Sequence, residues 1–203
     1  MPHQVIMFNG PPRSGKDTAG LFILEEYNDV RLFKMAEPLK QATMAMFGLT
    51  FEQVRRLETI GSLDKDKPMD ELMGFSWRQM LIWLSEQCMK PKFGDDIFGE
   101  LMARRISAPT SCTMTVITDC GFDLELIPVI RTVGAMNCHI IRLHREGCTF
   151  DGDSRSYVFT KRAPSPQLHV YDIKNNHDRA MFRIQVLRRV DAIMGRKREF
   201  QLV

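Results

Sequence analysis

The chain has 203 residues, and 28 lysines and arginines against 25 aspartates and glutamates give a formal net charge of +3. Nucleic-acid-binding proteins usually carry a concentrated basic face, so this mild balance predicts no direct nucleic-acid binding. Charged residues at 26% and apolar residues at 44% exclude bulk disorder and collagen-like repeats. No apolar run approaches the roughly 18 residues that span a bilayer, so no membrane insertion is expected. Five scattered cysteines without a C-x-x-C pair, and an N-terminal stretch without a secretory signal pattern, favour the cytoplasm.

Strand-like and helix-like apolar patterns alternate along the chain. In chain order they predict a strand over 4–8, a helix over 15–27, a strand over 31–35, a helix over 37–47, helices after Thr50, Ser76 and Asp95, a strand over 113–118, a helix carrying Pro128, strands over 138–143 and 169–173, and a helix over 178–194. Capping boxes mark the helix starts at Thr50 and Ser76. This alternation is typical of an α/β fold with a parallel sheet of about five strands flanked by helices on both faces.

Two stretches do not fit simple connections between neighbouring strands. The helical block 34–107 is too long for one crossover, so we expect an insertion over the carboxyl edge of the sheet, where ligands bind in such folds. The stretch 144–166 is rich in Gly, Asp, Ser and Pro and is longer than most ordered loops, which favours a mobile lid. A charged loop over 61–74 is expected inside the insertion. The chain is therefore predicted to be a single domain over 1–203 with a helical insertion and a lid loop.

The segment Gly10-Pro11-Pro12-Arg13-Ser14-Gly15-Lys16 matches the first seven positions of the phosphate-binding pattern G-x-x-x-x-G-K-[ST]. A glycine at each end lets the backbone curl so that successive amides face a phosphate, and the following helix adds its N-terminal dipole. Lys16 would bring a cation to the β- and γ-phosphates. The segment follows a predicted strand and opens a predicted helix, which is the context that this motif requires.

The residue after Lys16 is Asp17, where the general pattern has a Ser or Thr that binds magnesium. A carboxylate is a good ligand for this ion, directly or through water, although a simple charge at a helix N-terminus is the alternative. The sequence thus predicts an ATP and magnesium site. Its phosphate-binding residues are expected to be Gly10, Pro12, Arg13, Ser14, Gly15, Lys16, Asp17 and Thr18.

Two segments, Arg13-Ser14-Gly15-Lys16-Asp17-Thr18 and Phe33-Lys34-Met35-Ala36-Glu37-Pro38-Leu39-Lys40, resemble the phosphate loop and the F-A-D-P-L-K element of the bacteriophage deoxynucleoside monophosphate kinases. The segment Asp119-Cys120-Gly121-Phe122-Asp123-Leu124-Glu125 is similar to the D-V-R-F-x-x-E strand end of that family, with Gly121 where the family tends to have arginine. The resemblance is spread over residues 4 to about 190. It implies a P-loop nucleotide-kinase fold and transfer of the ATP γ-phosphate to a deoxynucleoside monophosphate, in the cytoplasm of the host if the chain is from a phage.

The resemblance also implies a division of labour among the site residues. The catalytic residues would be Lys16, Arg13, Asp17 and Arg142, with Arg145 and Arg155 as lid cations. Magnesium would be held by Asp17 and Asp119, possible ligands through water. The acceptor would lie under the insertion, against Lys34, Glu37, Lys40, Arg78, Asp95 and Asp96. Asn175 and Asn176 would meet the adenine of ATP, although a turn needs asparagine equally.

Three other functions stay open at this point. One is a P-loop kinase that acts on another small phosphorylated substrate. Another is a P-loop ATPase that is not a kinase, which Cys120 disfavours because it follows Asp119 where such motors have a hydrolytic glutamate. The third is a nucleotide-binding module without catalysis, which Lys16 and the acidic pair Asp17 and Asp119 disfavour. Spacing alone fixes neither the accepted bases nor the oligomeric state, and a homodimer is compatible with the sequence.

Overall fold

The computed structural model describes residues 2–59 and 64–196. Its strands are β1 (Gln4–Asn9), β2 (Val30–Phe33), β3 (Met114–Cys120), β4 (Cys138–His144) and β5 (His169–Lys174). They form one sheet of parallel pairs in the order β2-β3-β1-β4-β5. The predicted α/β class with five parallel strands is therefore confirmed, and each predicted strand lies within two residues of its observed bounds.

The helices between and after the strands follow the predicted order. They are α1 (Lys16–Glu26), α2 (Glu37–Met46), α3 (Phe51–Glu58), α4 (Trp77–Trp83), α5 (Lys90–Phe93), α6 (Ile97–Ser107), α7 (Asp123–Val133) and α8 (Arg179–Ile193). The capping boxes at Thr50 and Ser76 are both complete and begin α3 and α4, as predicted. The predicted cap at Asp95 is wrong, because α6 begins after Asp96 and the Asp96 side chain makes no capping hydrogen bond.

Helices α4 and α5 are joined by a π-helical turn over Leu84–Met89. Pro91 follows this turn within the first residues of α5. Proline has no N–H to donate to the preceding turn, so the helical hydrogen-bond ladder is interrupted next to the wide turn. Such turns are frequent at functional sites, and this one lies directly before Lys90.

Between β2 and β3 the described residues form helices α2 to α6 and two 3-10 turns, Asp64–Asp66 and Asp70–Leu72. Part of the loop predicted over 61–74, residues 61–63, lies outside the described residues. This region, called the insertion below, has an apolar core of its own. Its buried members are Leu39, Leu49, Leu57, Leu72, Trp77, Met80, Leu84 and Phe98.

The sheet is covered on both faces, and the central strand β1 shows why. Ile6 and Phe8 pack with α1 and α8 on one face, while Val5 and Met7 pack with α6 and α7 on the other. Successive side chains of a strand point to opposite faces, so a strand that is apolar at every position suits a sheet between two helical layers. No helix in residues 2–59 and 64–196 is both long enough and apolar enough to cross a membrane.

The connections at the carboxyl edge define where a ligand could enter. The chain leaves β1 towards β2 on one side of the sheet, and it leaves the neighbouring β4 towards β5 on the other. In open parallel sheets a crevice forms between two adjacent strands whose connections depart in opposite directions. The glycine-rich segment follows β1, and the segment 145–168 follows β4 without helix or strand. Both segments therefore border this crevice.

Candidate functional site

The glycine-rich loop, residues 10–16, curls at the carboxyl end of β1. Gly15 has a φ of +105°, and a Cβ at this position would lie 2.6 Å from Asn175 Nδ2 and 3.0 Å from the Phe182 ring. Glycine is therefore required both by the backbone conformation and by the space. Arg13 also has a left-handed φ of 65° and is exposed, whereas Pro12 is half-buried. Thr18 lies in the first turn of α1, directly beyond the loop.

Lys16 lies inside the curl of this loop and is only 8% exposed. Its Nζ donates hydrogen bonds to Gly10 O at 2.6 Å and to Pro11 O at 2.7 Å. Burial and the nearby charge of Arg155 lower the pKa of Lys16 to about 8, against the attraction of three carboxylates. These carboxylates belong to Asp17, Asp119 and Asp153. The loop thus holds a buried amine amid the charges that surround the crevice.

The loop is supported from the end of β5 by Asn175. Asn175 Nδ2 donates to Ser14 O at 2.9 Å, and Asn175 N donates to His144 O at 2.7 Å. Asn176 Oδ1 accepts from Glu146 N at 2.9 Å. Both asparagines therefore bind the chain itself, and their predicted contact with adenine stays a prediction. The Ser14 hydroxyl is fully buried in the loop and has no hydrogen-bond partner within the described residues, so it retains a donor of the kind that a phosphate oxygen satisfies.

Asp17 and Lys34 form an ion pair beside the loop, with Lys34 Nζ 3.0 Å from Asp17 Oδ1. Thr118 Oγ1 donates to the same oxygen at 3.1 Å. Burial raises the pKa of Asp17, but the charge and hydrogen bond of Lys34 outweigh burial and hold it below its usual value. Asp17 is therefore ionised, and Lys34, predicted to bind the acceptor, lies directly beside the phosphate loop.

Asp119 uses both of its carboxylate oxygens on backbone amides. Oδ1 accepts from Met35 N at 2.6 Å and Oδ2 accepts from Ala36 N at 3.2 Å, so the carboxylate fixes the turn between β2 and α2. Among the described residues no group of three or more His, Cys, Asp or Glu side chains could hold a metal ion. Magnesium commonly takes only one or two carboxylates and completes its shell with water and phosphates. Asp17 and Asp119 therefore fit magnesium only together with nucleotide phosphates.

Arg155 reaches the crevice from the segment after β4, called the lid below (residues 145–166). Its Nε and Nη2 donate to Asp153 at 2.8 and 2.6 Å. Burial lowers the pKa of Arg155, but Asp153, Asp119 and Asp17 more than compensate and raise it. The side chain lies across Gly121, where a Cβ would come within 2.4–2.5 Å of Arg155 Cβ, Cγ and Cδ. Arg155 therefore occupies the space that a side chain at position 121 would need.

The end of the lid is fixed by Asn9, a buried residue that the sequence analysis did not single out. Asn9 Nδ2 donates to Cys120 O and to Ser156 O, both at 2.9 Å, and Asn9 Oδ1 accepts from Val158 N at 3.1 Å. The signal was present in the sequence: a polar residue ends an otherwise apolar strand, and a buried amide of this kind needs partners from neighbouring segments.

The other two predicted cations near the lid are engaged elsewhere. Arg142 makes a bidentate pair with Asp172 on the neighbouring strand, at 2.9 and 2.7 Å. Arg145 Nη1 donates to Arg13 O at 3.3 Å, on the outer side of the glycine-rich loop. The predicted catalytic role of Arg142 stays a prediction, and the structure brings Arg155 rather than Arg142 near Lys16.

On the insertion side of the crevice, Lys40 pairs with Glu58, and Trp77 Nε1 donates to Glu58 Oε1 at 2.7 Å. Burial raises the pKa of Glu58, but Lys40 and Trp77 hold it below its usual value. Arg78 Nε lies 2.6 Å from Asp66 Oδ1, and its charge also lowers the pKa of Asp153 in the lid. Arg78 thus faces the lid across the crevice.

Two further residues of this side were missed in the sequence. Glu58 stands in no recognisable motif, and Lys65 belongs to a charged run that reads as a solvated loop. Lys65 is half-buried. Burial and the charge of Arg78 lower its pKa, against the opposing attraction of the carboxylates of Asp66, Glu58 and Asp17.

The remaining residues that were predicted to bind the acceptor are Glu37, Asp95 and Asp96. Glu37 Oε1 accepts from Gln41 Nε2 at 3.1 Å within α2. Asp95 is exposed and Asp96 half-buried at the start of α6.

No protein-family model matches this chain, and no curated protein matches it. The chemical capacity of the site therefore has to be argued from its own residues. Cations approach the crevice from three parts of the chain: Lys16 from the loop, Arg155 from the lid, and Lys34, Lys40, Lys65 and Arg78 from the insertion. Most of them are held by carboxylates rather than solvated. Such an arrangement suits a ligand with several anionic groups, because the ligand can replace the carboxylates as partner.

Proposed function

We propose that this protein is a P-loop nucleotide kinase that transfers the γ-phosphate of ATP, with magnesium, to a deoxynucleoside monophosphate and releases the diphosphate and ADP. One observation carries the proposal. Lys16 lies inside a glycine-rich loop at the carboxyl end of the central strand, and Arg155 approaches the same point from a lid. The strand order supports it, since ligands of such sheets bind where connections depart in opposite directions.

The reaction itself asks the protein mainly for positioned positive charge. Phosphoryl transfer passes through a loose transition state with negative charge spread over the equatorial oxygens, so cations supply most of the catalysis. Lys16 would bind the β- and γ-phosphates of the donor. Arg155 would stabilise the charge on the transferred group, because its guanidinium is near enough to Lys16 to lower the pKa of that lysine.

The acceptor phosphate would be bound from the insertion. Arg78 is the best candidate, because a guanidinium can hold a phosphate through two parallel hydrogen bonds and this one faces the lid. Its present partner Asp66 is about half exposed, at 46%, so the pair is open to exchange for a substrate anion. Lys34 and Lys65 would add positive charge on the same side.

Transfer to an acceptor requires that water does not compete. The lid would exclude water, and its end is hydrogen-bonded to the end of β1 through Asn9 and to the start of α7 through Asp123 Oδ1, which accepts from Phe159 N at 2.8 Å. The residue after Asp119 is the buried Cys120, whose burial raises its thiol pKa, so it offers no general base for hydrolysis. These features favour a kinase over an ATPase.

Magnesium, when bound, would neutralise negative charge on the donor phosphates. Asp17 is the residue most suited to hold it, because its carboxylate is ionised and lies in the first turn of the helix after the loop. Asp119 would act as a second ligand through water, since its oxygens already accept two backbone N–H groups.

The test is ADP production from ATP and magnesium across dAMP, dGMP, dCMP, dTMP and the ribonucleotides. Each acceptor is measured with the unmodified protein, with Lys16→Ala and with Lys161→Ala. Lys161 is an exposed lysine of the lid and serves as the matched control. We expect turnover that depends on at least one deoxynucleotide, that falls by about 1,000-fold in Lys16→Ala and that survives in Lys161→Ala.

Three results would contradict the proposal. ADP released at the same rate without any acceptor would indicate an ATPase. Turnover only with a phosphorylated acceptor outside this panel would indicate a kinase of another small substrate. No turnover with any acceptor, in a protein that folds and binds ATP, would leave a binding module.

A further inference from the structure

The segment 119–125, which runs from the end of β3 into the first turn of α7, contacts both the insertion and the lid. We call it the junction. On the insertion side, Asp119 accepts from the amides of Met35 and Ala36 at the entry to α2. On the lid side, Gly121 O accepts from Ser156 N at 3.1 Å, and Asp123 accepts from Phe159 N. Seven residues thus hold both parts that border the crevice.

The junction also binds the exit of the insertion, through a buried cation that the proposed reaction does not use. Lys90 is 6% exposed, and its Nζ lies 2.8 Å from Glu86 Oε1 and 3.5 Å from Glu125 Oε1. The same Nζ lies 3.6 Å from the centre of the Phe122 ring, in cation–π geometry. Two of its three partners, Phe122 and Glu125, belong to the junction.

A buried charge of this kind is poor evidence for stability alone, because the desolvation of its members offsets most of their attraction. The neighbouring contact between α6 and α7 needs no such device. A Cβ on Gly99 would lie 2.0 Å from Glu125 O, so α6 already packs backbone to backbone on α7. Lys90 instead lies just after the π-helical turn and ahead of Gly94, which has a φ of +98°. Lys90 therefore connects α5, the short helix that ends before Gly94, to the junction.

We propose that the junction couples the insertion to the lid, and that Lys90 and Glu125 are positioning residues which set the lid and Arg155 relative to the acceptor side. This inference rests on the proposed function for its catalytic consequence, but the coupling itself is a property of the fold. Loss of the contacts that Lys90 makes on one side of the junction should therefore change the hydrogen exchange of the lid amides that are bound to the other side. Among the described residues Lys90 contacts Glu86, Glu125 and Phe122, and none of these three belongs to the lid.

Coupling is measured first by amide hydrogen exchange at pH 7, which does not need activity. Lys90→Met keeps an apolar stem against Phe122 and removes the charge. We expect the lid amides of Ser156, Val158 and Phe159 to exchange about tenfold faster in this variant, through more frequent local opening. Arg131→Met is the matched control, because Arg131 also bridges α7 to the insertion, through Glu100 on α6, but away from the junction.

Kinetics are measured second. In Lys90→Met we expect the acceptor KM to rise about tenfold while the ATP KM stays within about twofold, because the glycine-rich loop does not touch this pair. A merely structural role would lower the amount of folded protein and leave both KM values unchanged.

Glu125→Gln is the second variant, in case Lys90→Met does not fold. Burial, with the charges of Asp119 and Glu86, raises the pKa of Glu125 to about 7 against the opposing effect of Lys90. Ionised Glu125 binds Lys90 more strongly, so kcat/KM for the acceptor should rise as the pH passes through about 7. The acceptor phosphate also titrates nearby, at about 6. We therefore expect the ratio of the unmodified protein to Glu125→Gln to keep a step near pH 7.

Faster exchange confined to residues 84–93, with lid amides unchanged in both variants, would overturn the coupling. A flat ratio between the two pH profiles would overturn the positioning role of Glu125. Faster lid exchange in a protein without kinase activity would support the coupling and contradict the proposed function, so the two failures are distinguishable.

Discussion

The two sides of the crevice are built by different means. The glycine-rich loop is held through its backbone carbonyl groups. The side chains of Lys16 and Asn175 donate hydrogen bonds to these oxygens, and Gly15 permits the curl of the loop. The lid and insertion sides are held by ion pairs between charged side chains. These pairs join Lys40 to Glu58, Arg78 to Asp66, and Arg155 to Asp153.

This difference teaches how each side can respond to a ligand. A loop fixed by its own backbone keeps its shape, which is the preorganisation that an anion site requires. A side held by ion pairs can exchange one anion for another, because a phosphate offers the same oxygens as a carboxylate. We expect the loop to be rigid and intolerant of substitution, and the acceptor and lid sides to change partners as they close.

The largest effect is expected from Gly15→Ala. The new Cβ would meet Asn175 Nδ2, and alanine would be strained in the left-handed conformation of this position, which together should lower the free energy of unfolding by about 3 kcal/mol and abolish ATP binding. Chemical denaturation and titration with ATP measure both effects.

Gly48→Ala is the control for this substitution. Gly48 also has a left-handed φ, +65°, but no atom of the described residues lies within 4 Å of a new Cβ. It should cost only about 1 kcal/mol, the strain of the conformation alone. Equal costs for the two variants would show that the loop is not crowded, and the comparison between the two sides would lose its basis.

The second effect concerns the lid. Arg155→Met should lower kcat by about 100-fold with little change in the ATP KM, because the guanidinium would act mainly on the transition state. Single-turnover kinetics measure the chemical step directly.

Arg145→Met is the control for the lid variant, since Arg145 touches only the outer side of the loop. Gly121→Ala should reproduce part of the Arg155→Met loss, because the methyl group displaces Arg155 without removing its charge. A full rate in Arg155→Met would exclude the lid arginine from catalysis.

The third effect is on stability against pH. The pKa of Glu125 is raised from 4.5 to about 7 in the folded protein, so the folded state binds a proton more tightly than the unfolded chain. The contribution of Glu125 to stability is therefore fully present below pH 4.5 and is lost as the pH rises to about 7, on the order of 3 kcal/mol. Urea denaturation between pH 5 and 8 should show this fall.

Glu125→Gln should remove that part of the slope, since an amide does not titrate. A parallel pH dependence in the two proteins would mean that Glu125 keeps its ordinary pKa in the fold, and that its pairing with Lys90 already compensates for burial.

The smallest effect is expected from Arg142→Met. Arg142 is paired with Asp172, which is about half exposed, and surface pairs contribute about 0.5 kcal/mol. We expect kcat to change less than about threefold. A loss like that of Arg155→Met would restore the catalytic role that the sequence predicts for Arg142.

The sequence predicted one side of the crevice much better than the other, for a physical reason. Strands, helix caps and the glycine-rich loop depend on residues that are close in the chain, so periodicity and spacing reveal them. Asn9, Glu58 and Lys90 contact partners that lie 19 to 149 residues away in the chain, and one sequence holds no record of such pairs. The support that Asn175 gives to the glycine-rich loop was missed for the same reason, because the partner of its amide, Ser14 O, became visible only with the fold.

The absence of a side chain at Gly121 also affects when a guanidinium enters the crevice. An arginine at position 121, directly after β3, would keep its guanidinium in the crevice whether or not an acceptor is bound. A guanidinium carried by residue 155 arrives only when the lid is docked on the sheet. Charge stabilisation and the exclusion of water would then come from the same movement, so ATP exposed to solvent in an open molecule would lack the cation that promotes its breakdown.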